Sequence, residues 1–293
     1  MLNIVESTSL NGELQQRRIF KMDKKQIQQL DYLIEKFKID SDGYKNLKMP
    51  SDIEGKQYLL RSLMNIRMPK EMSEEILKIQ DDYLKTRIEE KGIVYLSEIP
   101  TIRDGLSIWQ GDITRLAVDA IVNAANSQML GCFIPMHNCI DNCIHTFAGI
   151  QLRYECNEKM NQMKILYGEN YEQPTAIPML TDAYNLPAKK VIHIVGPIVP
   201  YELTQELEND LAKCYTNTLN MCLANGLKSV AFCCISTGVF HFPNKRAAEI
   251  AVETVTSWLS EHCNNKHDGH ERVERVIFNV FKDEDKKYYE ELI

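Results

Sequence analysis

Three nearly continuous apolar runs, at 191–195, 230–235 and 276–281, constrain the fold of this chain more than any other feature. A strand with one wet face alternates polar and apolar residues. A strand covered on both faces reads as an unbroken hydrophobic run. Shorter runs lie at 106–109 and 120–122. Between the runs, apolar residues recur at helical spacing. Ile140, Ile144, Phe147, Ala148 and Leu152 mark one helix, and Leu207, Leu211, Tyr215, Leu219 and Cys222 another, with Asn225-Gly226 as its stop signal. Ile250, Ala251, Val255, Trp258 and Leu259 mark a third. Strands alternating with helices need crossover connections, so residues 101–293 are expected to form a three-layer α/β/α domain with a mixed, mainly parallel sheet.

Residues 23–100 read differently. Ile27, Leu30, Leu33, Ile34 and Phe37 form one apolar helix face, Leu59, Leu60, Leu63, Met64 and Ile66 a second, and Ile76, Ile79, Tyr83 and Leu84 a third. A small helical region is expected to precede the α/β domain. Residues 1–22 are polar and unpatterned up to a second methionine, Met22. They read as a flexible extension or as upstream translated sequence.

The formal net charge of -7 excludes a general binder of nucleic acid or of anionic membranes, which needs clustered Lys and Arg. Nine cysteines, an odd number, and the lack of an apolar leader point to a reducing cytoplasm, with some thiols buried and others on metal. No run of 18 apolar residues exists, so neither a transmembrane helix nor a membrane partner is expected. A small anionic ligand stays open, because backbone N–H groups hold phosphate without basic side chains.

In an open α/β sheet, ligands meet the carboxyl ends of the strands. The first such loop is Gln110-Gly111-Asp112-Ile113-Thr114. It can present a carboxylate and N–H groups to a ligand edge, or be an ordinary turn capped by Asp112. The second, Asn123-Ala124-Ala125-Asn126, lets backbone approach closely between two amides. The third, Ile235-Ser236-Thr237-Gly238-Val239-Phe240, is an anion cradle or a plain strand-to-helix turn. It lacks the Gly-Lys-Ser/Thr of a P-loop.

Between the second loop and the next helix lies Gly131-Cys132-Phe133-Ile134-Pro135-Met136-His137-Asn138-Cys139-Ile140-Asp141-Asn142-Cys143-Ile144-His145. Cys132, His137 and Cys139 make a C-x4-H-x-C pattern of the ligands that zinc favours. Three close ligands with no obvious fourth suit an open, catalytic Zn2+ position. Unrelated buried thiols, or a closed site completed by Cys143 or His145, are the alternatives.

The order Trp109–Thr114, Asp119–Asn126, Tyr184–Lys189, Val191-Ile192-His193, Val195-Gly196-Pro197 and Ile235–Phe240 resembles the macrodomain family over about residues 104–285. It is most similar to the MacroD-type branch, whose members remove ADP-ribose from proteins. The usual Gly-rich loop ending in Val-Asp-Gly is replaced here by the Cys/His segment. That segment resembles the zinc-dependent macrodomains found beside SirTM-type sirtuins. Leu63-Met64-Asn65-Ile66-Arg67, Gln80-Asp81-Asp82-Tyr83-Leu84 and Gly92-Ile93-Val94 extend the likeness to about 50–285.

This resemblance implies a zinc-dependent hydrolase that removes mono-ADP-ribose from modified proteins, at acidic side chains. A non-catalytic ADP-ribose reader and an O-acetyl-ADP-ribose deacetylase are the alternatives. Implied partners are ADP-ribose, a mono-ADP-ribosylated protein and a SirTM-type sirtuin system. By the same likeness, Cys132, His137 and Cys139 hold zinc at the distal ribose, and Asn126 addresses that ribose. Asp112 and Ile113 meet the adenine. Ser236, Thr237, Gly238, Val239 and Phe240 wrap the diphosphate. Phe281 stacks near the adenine or else packs in the core. Asp141 stands in the place of the catalytic acidic residue, or serves as a first-turn acid on the helix dipole. His145 and His193 read as structural.

Overall fold

The computed structural model describes residues 22–41, 43–263 and 272–293. The expected extension over residues 1–22 therefore lies outside the described residues except for Met22, which is buried.

The described residues begin with three helices, α1 (Lys24–Asp40), α2 (Ile53–Ile66) and α3 (Glu74–Lys91). Asp23 and Gln26 cap α1 reciprocally, and Asp52 caps α2 by accepting from the Gly55 N–H. Their inward faces bring together Leu30, Leu33, Ile34, Phe37, Leu60, Leu63, Tyr83 and Leu84 in a core of their own, which Ile150 also enters.

Strands β1 (Val94–Tyr95), β2 (Leu106–Gln110), β3 (Leu116–Ala117) and β4 (Ala120–Ala125) follow. Then come α4 (Ile140–Ala148), α5 (Ile150–Tyr167), β5 (Met179–Asp182), β6 (Lys190–Val195), α6 (Gln205–Ala224), β7 (Ser229–Phe232), α7 (Asn244–Cys263), β8 (Arg275–Val280) and α8 (Asp283–Leu292). Strands β1 and β3 form a small parallel pair. The other six make one sheet in the order β2-β8-β7-β4-β6-β5, parallel except for the antiparallel edge strand β5.

Layering follows from side-chain alternation. Asn123 and His193 lie side by side on the face covered by α4 and α5, where His193 meets Cys156. Phe232 and Phe278 are also neighbours, and they meet Tyr215 of α6 and Tyr289 of α8 on the other face. The architecture is the expected three-layer α/β/α with helices ahead of it.

Three local expectations are corrected. The run at 230–235 is strand only to Phe232, although Cys233 and Ile235 remain buried. The pattern from Ile140 to Leu152 is two helices, not one, broken at Gly149 with φ +99°. A Cβ there would lie 2.7 Å from the side chains of Gln80 and Gln151. The run at 276–281 ends at Val280, leaving Phe281 outside the strand.

Candidate functional site

The parallel strands point their carboxyl ends toward one edge of the sheet, and the loops singled out above all lie there. After β2, Asp112 Oδ1 accepts from the Thr114 N–H at 3.0 Å and from Thr114 Oγ1 at 2.6 Å. The capping role of Asp112 is thus present. Asp112 Oδ2 accepts from Lys91 Nζ at 3.1 Å, and that ammonium lies 3.3 Å from the centre of the Phe147 ring. Burial raises the Asp112 pKa, but Lys91 and Thr114 outweigh it and hold the carboxyl below its ordinary value. Ile113 is buried beneath the turn. Phe281 follows β8, and Gln110 Nε2 at the end of β2 donates to its carbonyl at 3.3 Å. Its side chain is 77% exposed, which rules out core packing.

The segment Ser236–Phe240 links β7 to α7. Ser236 is buried with φ +64°, and its carbonyl accepts from the Phe242 N–H at 3.0 Å. Phe240 accepts from the Val199 N–H at 2.9 Å. The backbone N–H groups of Ser236, Thr237, Gly238, Val239 and Phe240 make no hydrogen bond among the described residues. Five successive unspent donors before a helix suit an anion. Gly196 makes room for the loop, since a Cβ there would lie 2.1 Å from Ser236 Oγ.

Asp141 and Asn126 are brought together. Asp141 Oδ1 accepts from Asn123 Nδ2 at 2.7 Å, and Oδ2 from Asn126 Nδ2 at 3.5 Å. Burial pushes the Asp141 carboxyl up to about 6, opposed by the Asn123 bond. Asn126 Oδ1 accepts from the Gln128 N–H at 3.0 Å. His193 is a satisfied core residue, with Nδ1 3.0 Å from Asn123 Nδ2 and Nε2 3.0 Å from Thr181 Oγ1. Burial drives its pKa down to about 3, so it is neutral. His145 is buried with Nε2 3.6 Å from Asp141 Oδ1.

The donor atoms of Cys132, His137 and Cys139 lie within 4.8 Å of one another, and all three residues are half-buried. Cys132 Sγ is 3.5 Å from His137 Nδ1. Cys139 caps α4, its sulfur accepting from the Asn142 N–H at 3.4 Å. Burial pushes the Cys139 thiol up to about 12, and the adjacent Cys132 adds to this. A divalent cation reverses that order, because a coordinating thiol deprotonates. Cys143 does not join the trio; its sulfur lies 3.7 Å from Arg61 Nη2. His145 forms another close group with Cys156 and His193, but both ring nitrogens of His193 are already engaged there.

Three participants carried no sequence signal of their own. Lys91 reaches Asp112 from the helical region. Asn123 was visible only as half of an Asn pair. Asn142 donates to the carbonyls of Cys132 at 3.2 Å and Ile134 at 2.9 Å, bracing the Cys/His loop. No helix among the described residues is long and apolar enough to cross a membrane.

Comparison with known proteins agrees with this geometry. Residues 122–251 match the model of the Macro domain family. The chain is 46% identical over 266 residues to a protein-ADP-ribose hydrolase of Treponema medium, covering 89% of this chain and 97% of the relative. It is 42% identical over 264 residues to a protein-ADP-ribose hydrolase of Staphylococcus aureus (strain MRSA252), covering 89% and 94%. Among solved structures, a Trypanosoma brucei macrodomain in complex with ADP-ribose superposes with TM-score 0.57 at 28% identity, covering 79% of this chain and 94% of that one. A mutant Oceanobacillus iheyensis macrodomain with ADPR gives 0.55 at 36% identity, covering 66% and 94%. With this sheet order, these loops and relatives matching along most of its length, the chain belongs to the macrodomain family.

Proposed function

We propose that this protein is a zinc-dependent hydrolase that releases mono-ADP-ribose from proteins modified at acidic side chains. The observation that carries the reading is the convergence of Cys132, His137 and Cys139 within 4.8 Å, two residues from the buried Asp141. Two thiols and one imidazole, half-buried and with no fourth His, Cys or carboxylate joining them among the described residues, fit an open Zn2+ position. A module that only reads ADP-ribose has no need of a Lewis acid. The relatives named protein-ADP-ribose hydrolase support the release of ADP-ribose from protein.

When bound, Zn2+ supplies Lewis-acid polarisation of the ester or lowers the pKa of a water toward ~7. The chain's own residues do the rest. Asp112 and the Ile113 turn receive the adenine, with Phe281 stacking beside it. The N–H groups of Ser236 to Phe240 hold the diphosphate. Asn126 binds a distal ribose hydroxyl. Asp141 orients the attacking water and takes its proton as the bond from ribose to the acidic side chain breaks.

The test is zinc quantification coupled to a release assay on a protein mono-ADP-ribosylated at glutamate, with and without a strong chelator, and on Cys132→Ala. Release is expected only in zinc-loaded wild type. Undiminished turnover by a zinc-free sample removes the metal from the reaction. Tight ADP-ribose binding without release by the loaded protein makes it a reader, and faster turnover of O-acetyl-ADP-ribose moves the substrate to that metabolite.

A further inference from the structure

Six residues separate Cys132 from Cys139, and the shape of that loop is not set by the macrodomain alone. Helix α2 lies against α4 and presents Arg61 and Asn65, one helical turn apart, to the loop. Asn65 is 1% exposed and uses both ends of its amide. Its Oδ1 accepts from the Met136 N–H at 3.0 Å, and its Nδ2 donates to Thr146 Oγ1 at 2.9 Å. Met136 has φ +58°, a left-handed conformation that a side-chain-bearing residue keeps only when its surroundings hold it there. Arg61 Nη2 donates to the His137 carbonyl at 2.8 Å and to Asn142 Oδ1 at 2.9 Å. The two α2 side chains therefore grip the peptide unit that follows His137 and the one that precedes Met136, a residue away on the other side. Asn142 passes the grip on to the Cys132 and Ile134 carbonyls.

We propose that Arg61 and Asn65 are positioning residues for the metal: the helical region forms the outer half of the zinc site by clamping His137 in its ligating place. This rests on the reading of Cys132, His137 and Cys139 as zinc ligands. Groups that orient a metal's ligands through a hydrogen bond are commonly worth about 10- to 100-fold in metal affinity.

The experiment measures the Zn2+ dissociation constant of the full chain by competition with a chromophoric chelator, well below the melting temperature. Wild type, Asn65→Ala, Arg61→Met, Arg61→Lys and Cys132→Ala are compared, each with a melting curve of its metal-free form. Asn65→Ala and Arg61→Met are expected to bind zinc at least about 10-fold more weakly. Arg61→Lys, which keeps a donor for the His137 carbonyl, is expected to recover part of the loss. A purely structural role would lower the metal-free melting temperature and leave the zinc constant unchanged; that result overturns the proposal while the metal site stands. Should Asn65→Ala fail to fold, the two Arg61 variants decide the matter. Equal zinc binding by wild type and Cys132→Ala overturns the ligand assignment itself, and the clamp with it.

Discussion

The side-chain amide of Asn123, on β4, lies 2.7 Å from Asp141 Oδ1 and 3.0 Å from His193 Nδ1. One buried amide thus ties the centre of the sheet to the first turn of α4, where the Cys/His loop ends. The carboxylate it holds is buried beside the Cys132, His137 and Cys139 trio, and its other oxygen faces Asn126.

Replacing that acid while keeping its shape separates chemistry from binding. In Asp141→Asn, release of ADP-ribose is expected to fall at least about 100-fold, the scale of a lost general base. Affinity for free ADP-ribose, read by titration calorimetry, is expected to hold within a few-fold. An unchanged release rate would exclude Asp141 from the reaction.

Gly196→Ala tests from behind the proposal that the Ser236–Phe240 loop holds the diphosphate. The added methyl would meet Ser236 Oγ at 2.1 Å and Ile235 Cγ2 at 2.7 Å, so the side chains at the start of the loop must shift. Overpacking of this kind costs about 1–3 kcal/mol. Urea unfolding is expected to show that loss, and ADP-ribose affinity is expected to fall with it. Wild-type affinity in this variant would show that Ser236 does not set the loop's grip.

Lys91 joins the helical region to Asp112, the residue proposed to meet the adenine. Lys91→Met removes the ion pair with Asp112 and the cation over Phe147. A partly exposed pair of this type is worth up to about 1 kcal/mol, so ADP-ribose affinity is expected to weaken roughly two- to fivefold. Equal affinity at low and moderate salt would show that Asp112 needs no help from α3.

Asp119 gives a pH-dependent readout remote from the chemistry. Its Oδ2 accepts from the N–H groups of Lys228 and Ser229, both at 2.9 Å, and its Oδ1 lies 2.7 Å from Lys189 Nζ. Burial raises its pKa, but these donors outweigh it and depress the folded-state value. A depressed carboxyl stabilises the fold fully above its ordinary pKa of ~4 and loses that contribution as pH falls below it. Asp119→Ala is expected to cost about 1–3 kcal/mol near pH 7. The gap between wild type and variant should shrink as unfolding is repeated toward pH 3. A gap that is constant with pH would mean the charge contributes nothing.

Burial was legible in the sequence more reliably than hydrogen bonding. The apolar run at 191–195 is a strand because both sheet neighbours and both helix layers cover it. The run at 230–235 is equally buried at Cys233 and Ile235, yet the chain leaves the ladder after Phe232 to build the loop that ends at Phe240. Strand β5 was missed because four residues at an antiparallel edge carry too short an alternation to stand out. The break at Gly149 inside the Ile140–Leu152 pattern depends on Gln80, Gln151 and Asn185, which close around it from distant parts of the chain.

By itself, the sequence determined the layers, the order of the loops and the C-x4-H-x-C spacing, because these follow from period and spacing along the chain. Only the tertiary structure decided that Arg61, Asn65 and Lys91, from the separate helical region, reach the cleft. It also turned Cys143 toward Arg61 and Phe281 out to solvent. The physical reason is that a contact between residues tens of positions apart is set by how two buried faces pack, and neither face carries the other's address in its own periodicity.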